Sequence, residues 1–506
     1  MTQFLPPRNN WLRLLCLILA VTLILSACGG SQDDPDETSV SSDTDVAVTT
    51  DPQRLTPDLP EITFNDEEFI MYRYVSGGHH WNDLYAEELN GEPVNDAVFK
   101  RNQAIEEQYA VDLVYIEEQY TTFNDNLKAT VMADDDSYDL VFNMGHTIAH
   151  NYAFDLYYNL HQVPYLDFDK PWWDHDSVEN FTMVGYLPFA AADICILNLA
   201  AAQCVYFNQK LVEDLQLGNL YQYVLENNWT MDTFIQLGKQ ATADLNGDTV
   251  MDENDRYGMV CNDGPMIPLF HATDARFLEH DKDGYPQLSF MTDKNVTAIQ
   301  YFLEKIMFTK EMTFNTQMEL GYSTTLNPIK LFTDGHGLFM INLINSTNML
   351  REMTADYGIL PIPKYDANQE NYSSSTSVFA GSLVSILKTE RNLERAGILL
   401  EALSAESHYE LFPAFYETVL KGKLTRDVES AQMLDIIKGS LVFDVGDYLS
   451  LATFSDYFLR LTGSVYNDGN SAFPERTTDI ASFYAMYEGR LEAALEDLHE
   501  ILNGWK

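Results

Sequence analysis

Residues 69–75, FIMYRYV, form a run of large apolar and aromatic side chains that ends at Ser76-Gly77-Gly78, a pattern typical of a buried β-strand. Two similar runs follow, VDLVYI at 111–116 and YDLVF at 138–142. Because strands that alternate with helices pair in parallel through right-handed crossovers, the sequence predicts a βαβαβ unit and an α/β fold. Two helices are predicted between these strands. The first carries Val94, Val98, Ile105 and Tyr109 on one face, and the second spans 123–132.

The loops after these strands are where ligand contacts are expected, because ligands of open α/β sheets bind beyond the carboxyl ends of the strands. The loop at 77–81 contains Trp81, and the loop at 143–147 contains His146. Farther along, the adjacent Trp172 and Trp173 offer either a stacking surface for sugar rings or a plug for a seam in the core. The sequence favours neither interpretation of this pair.

The first residues have the pattern of a secretory signal, with a basic head at Arg8 and Arg13 and an apolar run behind it. The run is shorter than the roughly 20 residues that a membrane-spanning helix needs. Leu25-Ser26-Ala27-Cys28 resembles the lipobox of bacterial lipoproteins, which implies that Cys28 is lipidated and anchors the protein on the outer face of the cytoplasmic membrane. The alternative is an ordinary signal peptide that happens to contain Cys28.

Composition narrows the class of protein. Residues 28–60 are rich in Ser, Thr, Asp and Pro, which predicts a flexible linker. The whole chain of 506 residues is 46% hydrophobic, enough to bury a large core, and its net charge of -47 disfavours nucleic acids and anionic headgroups as partners. Apart from Cys16 in the expected signal and Cys28, the cysteines are Cys195, Cys204 and Cys261, which match no zinc spacing and are expected to be small buried residues.

Several further motifs follow one another in an order that is more specific than any one of them. After the lipobox and the strand at 138–141 come Tyr206-Phe207-Asn208-Gln209-Lys210 and then Asn228-Trp229-Thr230, with Thr230 as a helix N-cap. Gly337-Leu338-Phe339-Met340 and Tyr357-Gly358-Ile359-Leu360-Pro361-Ile362-Pro363 follow. In this order the chain resembles the extracellular solute-binding proteins of ABC importers, in particular the maltose-binding-like family 1.

The resemblance implies a two-lobed fold of the periplasmic-binding-protein type 2 class, with strands that cross a hinge and a ligand cleft between the lobes. It also implies a monomer that delivers its ligand to the transmembrane subunits of an ABC permease. The expected divisions are a lipoprotein signal at 1–27, a linker at 28–60, a first lobe at 61–192 and 353–407, and a second lobe at 193–352 and 408–506, which includes the C-terminal helices.

The expected ligand is a small polar solute, with a carbohydrate as the first expectation and a peptide or another solute in the same cleft as the alternative. Aromatic side chains would stack on it, and a few polar groups would orient it. Loop position and the resemblance together point to Trp81, His146, Trp172, Asp193, Tyr322 and Asn342 as ligand-binding residues.

The segment at 244–255, DLNGDTVMDEND, has the ligand spacing of an EF-hand calcium loop. Thr249 replaces the usual glycine, and the last position is a short Asp rather than Glu. The alternative is a polar connection that needs no metal, whereas the resemblance suggests a structural calcium ion. The expected ligands are the side chains of Asp244, Asn246, Asp248, Asp252 and Asp255 and the carbonyl of Val250.

Two other classes of protein, an enzyme and a surface adhesion protein, account for less of the sequence. An enzyme is not indicated by any His-Glu-x-x-His, Gly-x-Ser-x-Gly or Walker sequence, although a glycosidase pair of acids cannot be judged by counting in a chain with 77 carboxylates. A surface adhesion protein would account for the anchor and the linker. It would not account for an α/β pattern that forms a cleft.

Overall fold

Two separate β-sheets with helices around them form the body of the molecule in the computed structural model, which describes residues 54–75, 82–151, 155–320, 327–424, 428–462 and 477–505. The expected signal peptide, Cys28, Trp81 and Tyr322 lie outside the described residues. Residues 55–506 form one compact unit.

The strands are β1 (Glu67–Val75), β2 (Val111–Gln119), β3 (Leu140–Met144), β4 (Gln203–Asn208), β5 (Tyr257–Cys261), β6 (Leu278–His280), β7 (Pro286–Leu288), β8 (Thr313–Asn315), β9 (Gly337–Leu343), β10 (Tyr357–Leu360), β11 (Ser374–Ser375), β12 (Ser382–Ser385) and β13 (Leu441–Val442). The α-helices are α1 (Pro93–Tyr109), α2 (Tyr120–Met132), α3 (Gly145–Asn151), α4 (His175–Phe181), α5 (Leu197–Ala200), α6 (Gln209–Asp214), α7 (Leu220–Leu225), α8 (Met231–Ala241), α9 (Met266–Ala272), α10 (Asp293–Phe302), α11 (Thr316–Leu320), α12 (Pro328–Thr333), α13 (Leu393–Tyr409), α14 (Leu411–Pro413), α15 (Val428–Lys438), α16 (Val445–Leu449), α17 (Phe454–Leu459), α18 (Ile480–Ala485) and α19 (Glu488–Trp505). Turns of 3₁₀ helix lie at Leu160–Gln162, Ile344–Glu352, Leu451–Thr453 and Arg460–Thr462, and π-helical segments at Leu303–Met307 and Ala414–Leu424.

The first sheet has the strand order β12-β3-β1-β2. β1 pairs in parallel with both β2 and β3, and α1 and α2 connect the three strands, so the predicted βαβαβ unit is confirmed. The apolar face predicted for the first helix is the buried face of α1, where Val94, Val98 and Ile105 are all buried. β12 joins from far along the chain and runs antiparallel to β3, with Ser382 opposite Met144.

The second sheet has the order β10-β4-β9-β5-β8. β5 runs parallel to β8 and β9, while β4 runs antiparallel to β9 and β10. Thr230 begins α8 as predicted, since its side chain accepts a hydrogen bond from the backbone N–H of Thr233. α8 packs on β9 of the second sheet through the rings of Trp229, Phe234 and Phe339. The expected α/β class with two sheet-based lobes is therefore confirmed.

Among the described residues, the strands of the two sheets are joined by two passages of the chain, and after α13 the chain returns to the second sheet, where Ser430 of α15 accepts the N–H of Ile359 in β10. Residues 193–202 lead from the first sheet to β4, and residues 361–381 lead back from β10 to β12. The expected return to the first lobe at 353 is too early, because β10 pairs with β4 in the second sheet. Its side chains are all buried there. We call residues 193–202 and 376–381 the crossing segments.

The expected linker ends earlier than residue 60. The backbone N–H of Leu55 donates a hydrogen bond of 2.8 Å to the Tyr409 hydroxyl at the end of α13. Leu59 and Ile62 pack, partly buried, against the hydrophobic core. These apolar side chains stabilise an ordered lead-in to β1, which the polar composition of the preceding residues did not indicate.

The three cysteines Cys195, Cys204 and Cys261 are buried thiols, as expected. Within the described ranges, no helix combines the length and the apolar character needed to cross a bilayer.

Candidate ligand-binding cleft

The edges of the two sheets that face the crossing segments define the candidate site. At the first sheet, β3 ends at Met144 and β12 begins opposite it at Ser382. At the second sheet, β4 begins at Gln203 opposite Leu343, the last residue of β9, and β5 ends at Cys261. Both edges are the carboxyl ends of the parallel strands, where ligands of such sheets bind.

A cavity of about 80 Å³ lies at this junction. It is bounded by Gln203 at the start of β4, by the second crossing segment, by the turn after β5 with the start of α9, and by the helices α16 and α17. Its lining therefore comes from the second sheet, from the segment that returns to the first sheet and from the C-terminal part of the molecule. The lining residues are Gln203, Gly264, Ile267, Ser377, Val378, Phe379, Asp447, Ser455, Asp456 and Leu459.

His146 and Phe379 form an aromatic wall beside this cavity. The backbone N–H of His146, at the start of α3, donates a 2.8 Å hydrogen bond to the carbonyl of Val378. The imidazole centroid lies 5.1 Å from the Phe379 ring centroid. Phe379 is 42% exposed, which leaves part of its ring open to a ligand. His146, predicted from loop position, thus contacts a residue that lines the cavity but does not line the cavity itself, and its role as a ligand contact stays a prediction.

The backbone at His146 is held in place from behind. Gly145 has no space for a side chain, because a Cβ there would lie 2.6 Å from Cε1 of Tyr448. The buried Tyr448 ring in turn packs edge-on against Phe181 in the core. The close approach of Gly145 to α16 therefore fixes the start of α3 against the C-terminal helices.

Two carboxylic acids, Asp447 and Asp456, line the other side of the cavity. Burial raises the pKa of Asp447 well above its ordinary value, and the neighbouring charges of Asp444 and Asp456 raise it further. A protonated Asp447 can donate as well as accept a hydrogen bond. With the amide of Gln203 and the hydroxyl of Ser455, the cavity offers the mixed donors and acceptors that bind hydroxyl groups.

Trp172 is a core residue. Its side chain is fully buried, and Trp173 beside it is 3% exposed. Their indole N–H groups donate 2.9 Å hydrogen bonds to the two oxygens of one buried carboxylate, Glu401 of α13. A buried ring cannot stack on a ligand, so this tryptophan pair fills the core. The expectation that Trp172 binds the ligand is therefore wrong.

Asp193 and Asn342 lie near the junction but do not line the cavity. The carboxylate of Asp193 contacts Nδ1 of His408 at 2.6 Å, and burial raises the pKa of Asp193. Asn342 lies near the end of β9, where its side-chain oxygen accepts a hydrogen bond from the N–H of Leu343. Both side chains are engaged with protein groups in this structure, and their roles as ligand contacts stay predictions, as do those of Trp81 and Tyr322.

The exposed ring of Phe379 and the acids of α16 and α17 are the site residues that the sequence did not single out. Phe379 opens FAGSLVSI at 379–386, which has an apolar strand pattern in which an exposed ring looks like one more core residue. Asp447 and Asp456 stand among many acids, and only the folded chain brings them to the crossing segments.

The 244–255 loop is closed by hydrogen bonds between its own carboxylates and backbone. Asp244 accepts from the N–H groups of Gly247 and Thr249, and Asp255 accepts from Leu245 and Asp252. These backbone hydrogen bonds lower the pKa of Asp255. Thr249 adopts the left-handed conformation, φ 68°, that a glycine would supply in a calcium loop.

The fit to calcium is incomplete. Across the described ranges, no three His, Cys, Asp or Glu side chains lie together closely enough to hold a metal ion. The carboxylates of this loop are occupied by amide hydrogens, as in the alternative of a polar connection. Calcium binding at Asp244, Asn246, Asp248, Val250, Asp252 and Asp255 stays a prediction.

Solved structures share this fold over most of the chain. An ABC substrate-binding protein from Listeria monocytogenes in complex with cycloalternan superposes with a TM-score of 0.51 at 10% identity, covering 87% of this chain and 99% of that one. A cyclo/maltodextrin-binding protein complexed with maltotetraose gives 0.51 at 14% identity, covering 86% and 96%. The cyclic α-maltosyl-1,6-maltose binding protein from Arthrobacter globiformis gives 0.52 at 12%, covering 86% and 99%.

At these identities the likeness establishes the fold, which is the two-lobed solute-binding fold that the sequence resemblance implied. A scan against protein-family models and a search of curated proteins gave no match.

Proposed function

We propose that this protein is an extracellular solute receptor that binds a carbohydrate between its two lobes. The observation that carries the proposal is the cavity at the crossing segments, with an exposed Phe379 ring on one side and acids, an amide and a hydroxyl on the other. Supporting it, the structures named above are binding proteins whose ligands are oligosaccharides. No catalytic step is proposed.

In this proposal each group has a separate task. The apolar C–H face of a sugar ring packs on Phe379, while sugar hydroxyls exchange hydrogen bonds with Gln203, Ser455 and Asp456. The cavity as described is smaller than an oligosaccharide requires, so binding calls for a change in the distance between the lobes. The ligand selects the arrangement it fits, because only differential binding can shift such an equilibrium.

Delivery and anchoring complete the proposal. Leu25-Ser26-Ala27-Cys28 would place a diacylated Cys28 in the outer face of the cytoplasmic membrane, with the residues up to Leu55 as a tether. The receptor would then pass its ligand, as a monomer, to the transmembrane subunits of an ABC permease. Export and lipidation are tested by labelling with a radioactive fatty acid, which should label the wild type and leave the Cys28→Ser variant unlabelled.

Ligand binding is tested by thermal unfolding of the mature protein with panels of mono- and oligosaccharides and of peptides. A ligand that binds only the native state adds about 2.7 kcal/mol of stability at a hundredfold excess over its Kd. We expect a rise in Tm with an oligosaccharide that is recovered chemically unchanged. A rise with peptides alone would contradict the carbohydrate proposal, and recovery of a cleaved sugar would contradict the receptor proposal.

A further inference from the structure

The first crossing segment is fixed at both of its ends. At the first lobe, the buried carboxylate of Asp83 accepts the N–H of Ile196 at 3.0 Å, and the buried guanidinium of Arg101 reaches the carbonyl of Ile194 at 3.4 Å. At the second lobe, the carbonyl of Ala202 accepts the N–H of Ile344 at 2.8 Å. Only the short helix α5 separates these two attachments. A change in the angle between the lobes must therefore be absorbed at α5.

Asn198 of α5 bonds with both ends of its amide to Ser382, the residue that directly follows the second crossing segment. Its Nδ2 donates to the carbonyl of Ser382 at 2.7 Å, and its Oδ1 accepts the N–H of Ser382 at 2.9 Å. The side chain is only 6% exposed, so each of these bonds is made away from water. Ser382 is the first residue of β12, and this pairing joins α5 to the first sheet.

Backbone contacts continue the same junction. The Thr376 hydroxyl donates to the carbonyl of Asn198 at 3.3 Å, and the N–H of Ser377 donates to the carbonyl of Ala201 at 3.0 Å. Ala202 forms an antiparallel bridge with Thr376. Gly381 makes the approach possible, since a Cβ there would lie 2.9 Å from Asn198 Oδ1.

The residues clasped in this way flank Phe379. Thr376 and Ser377 precede it and Ser382 follows it. Thr376 and Ser382 bond to Asn198 of α5, and Ser377 bonds to Ala201, the residue after α5. We call residues 376–382 the arch. It carries the exposed Phe379 ring, and both of its ends are bonded to residues 198–201 of the first crossing segment.

We propose that Asn198 is a positioning residue that ties α5 to Ser382, at the end of the second crossing segment, so that the two crossing segments move as a single hinge and Phe379 is held in its binding position. Replacing Asn198 with Ala removes both bonds to Ser382 and leaves the bonds of Thr376 and Ser377 to backbone carbonyls, so that residues 376–382 and residues 197–203 are held together less firmly and both open more often. For its effect on affinity, this inference rests on the proposed function. The coupling of the two segments does not depend on any ligand.

Asn159 provides a matched control. It is also 6% exposed, and its amide also bonds the backbone with both ends, donating to Gly185 and accepting from Leu187. It lies in the first lobe, outside the crossing segments. Asn159→Ala removes these two bonds and a third, which Oδ1 accepts from the N–H of His161, so it is at least as disruptive as Asn198→Ala, but only Asn198→Ala removes its bonds from the hinge.

The test is hydrogen exchange of the full mature protein, purified in detergent without ligand, for the wild type, Asn198→Ala and Asn159→Ala. In Asn198→Ala we expect exchange at both 197–203 and 376–382 to rise together by about tenfold, with little change elsewhere. Asn159→Ala should leave both segments as in the wild type. Faster exchange in only one of the segments, or in neither, would overturn the proposed clasp.

Affinity for the oligosaccharide that stabilises the wild type gives the second measurement. We expect Asn198→Ala to weaken binding about tenfold, because the Phe379 ring is no longer held in place. Asn159→Ala should bind as the wild type does. Equal losses in the two variants would contradict the positioning role. If the wild type binds no sugar, the proposed function fails while the exchange measurement still decides the hinge.

Discussion

At the scale of single residues, the proposed function depends most on Phe379. Its ring is 42% exposed beside the cavity, and its neighbours His146 and Val378 are bonded to each other. An exposed phenylalanine has no hydrogen-bonding role to play, so what it can offer a ligand is an apolar face.

Replacing Phe379 with Ala should weaken oligosaccharide binding by about tenfold, the loss of one aromatic contact of about 1.5 kcal/mol, with little effect on Tm. The measurement is isothermal titration of wild type and variant. Tyr85 is a suitable control, because it is 40% exposed and does not line the cavity, and Tyr85→Ala should bind normally. Unchanged affinity in Phe379→Ala would remove this ring from the site.

Glu401 is a buried acid whose two oxygens receive the indole N–H groups of Trp172 and Trp173. Burial raises its pKa from 4.5 to about 7. Folding therefore favours its protonated form, and its contribution to stability is complete below pH 4.5 and lost as the pH rises through about 7.

The Glu401→Gln variant should lack this part of the pH dependence. It should also be less stable by about 1–3 kcal/mol at acidic pH, because the new NH₂ group faces an indole N–H that needs an acceptor. Denaturant unfolding between pH 4.5 and 8 measures both effects. Glu394→Gln, an exposed change on the same helix, serves as the control and should follow the wild type. A Glu401→Gln curve parallel to that of the wild type would show that Glu401 does not titrate in this range.

Residue roles were only partly predictable from the sequence. His146 was placed near the cavity by the rule for strand ends, which is a local rule. The role of Trp172 depends on Glu401, which lies 229 residues away, so no local pattern could decide between stacking and burial. Phe379 was missed for the related reason that exposure is a property of the folded chain.

At the scale of elements, the 244–255 loop has its predicted turn, but its carboxylates bond to amides. If the loop takes calcium, the ion must displace some of these hydrogen bonds. Calcium at about a hundredfold excess over its Kd should then raise Tm by about 3 °C relative to protein in chelator.

In this prediction Asp248→Ala should abolish the calcium-dependent rise in Tm. Asp281→Ala should keep it, although Asp281 likewise accepts backbone hydrogen bonds in a polar turn, from Asp283 and Tyr285. Equal Tm values for the wild type with calcium and with chelator would favour the polar connection that needs no metal.

Elements with a strong local pattern were predicted well. β1, β2 and β3 and the helices between them follow from apolar spacing, and Thr230 follows from capping chemistry. The return point of the chain was not predictable in the same way. Whether Tyr357–Leu360 pairs in the first or the second sheet depends on its contact with β4, a strand about 150 positions earlier.

At the scale of the whole molecule, two sheets joined by two crossing segments make a hinge, and the candidate site lies on it. The order of motifs predicted this architecture, because a series of individually weak patterns is more specific than any one of them. What the sequence could not give is the arrangement at the junction, where Asn198, Phe379 and Asp447 come from distant parts of the chain.

The central claim is that a carbohydrate binds at this junction, and the hydrogen-exchange footprint of the bound ligand tests it most directly. Exchange of the mature protein is compared with and without the oligosaccharide that raises its Tm. The account predicts that protection is concentrated at 145–147, 264–267, 377–379 and 455–459, the segments that surround the cavity. Protection confined to other surfaces, with these segments unchanged, would contradict it.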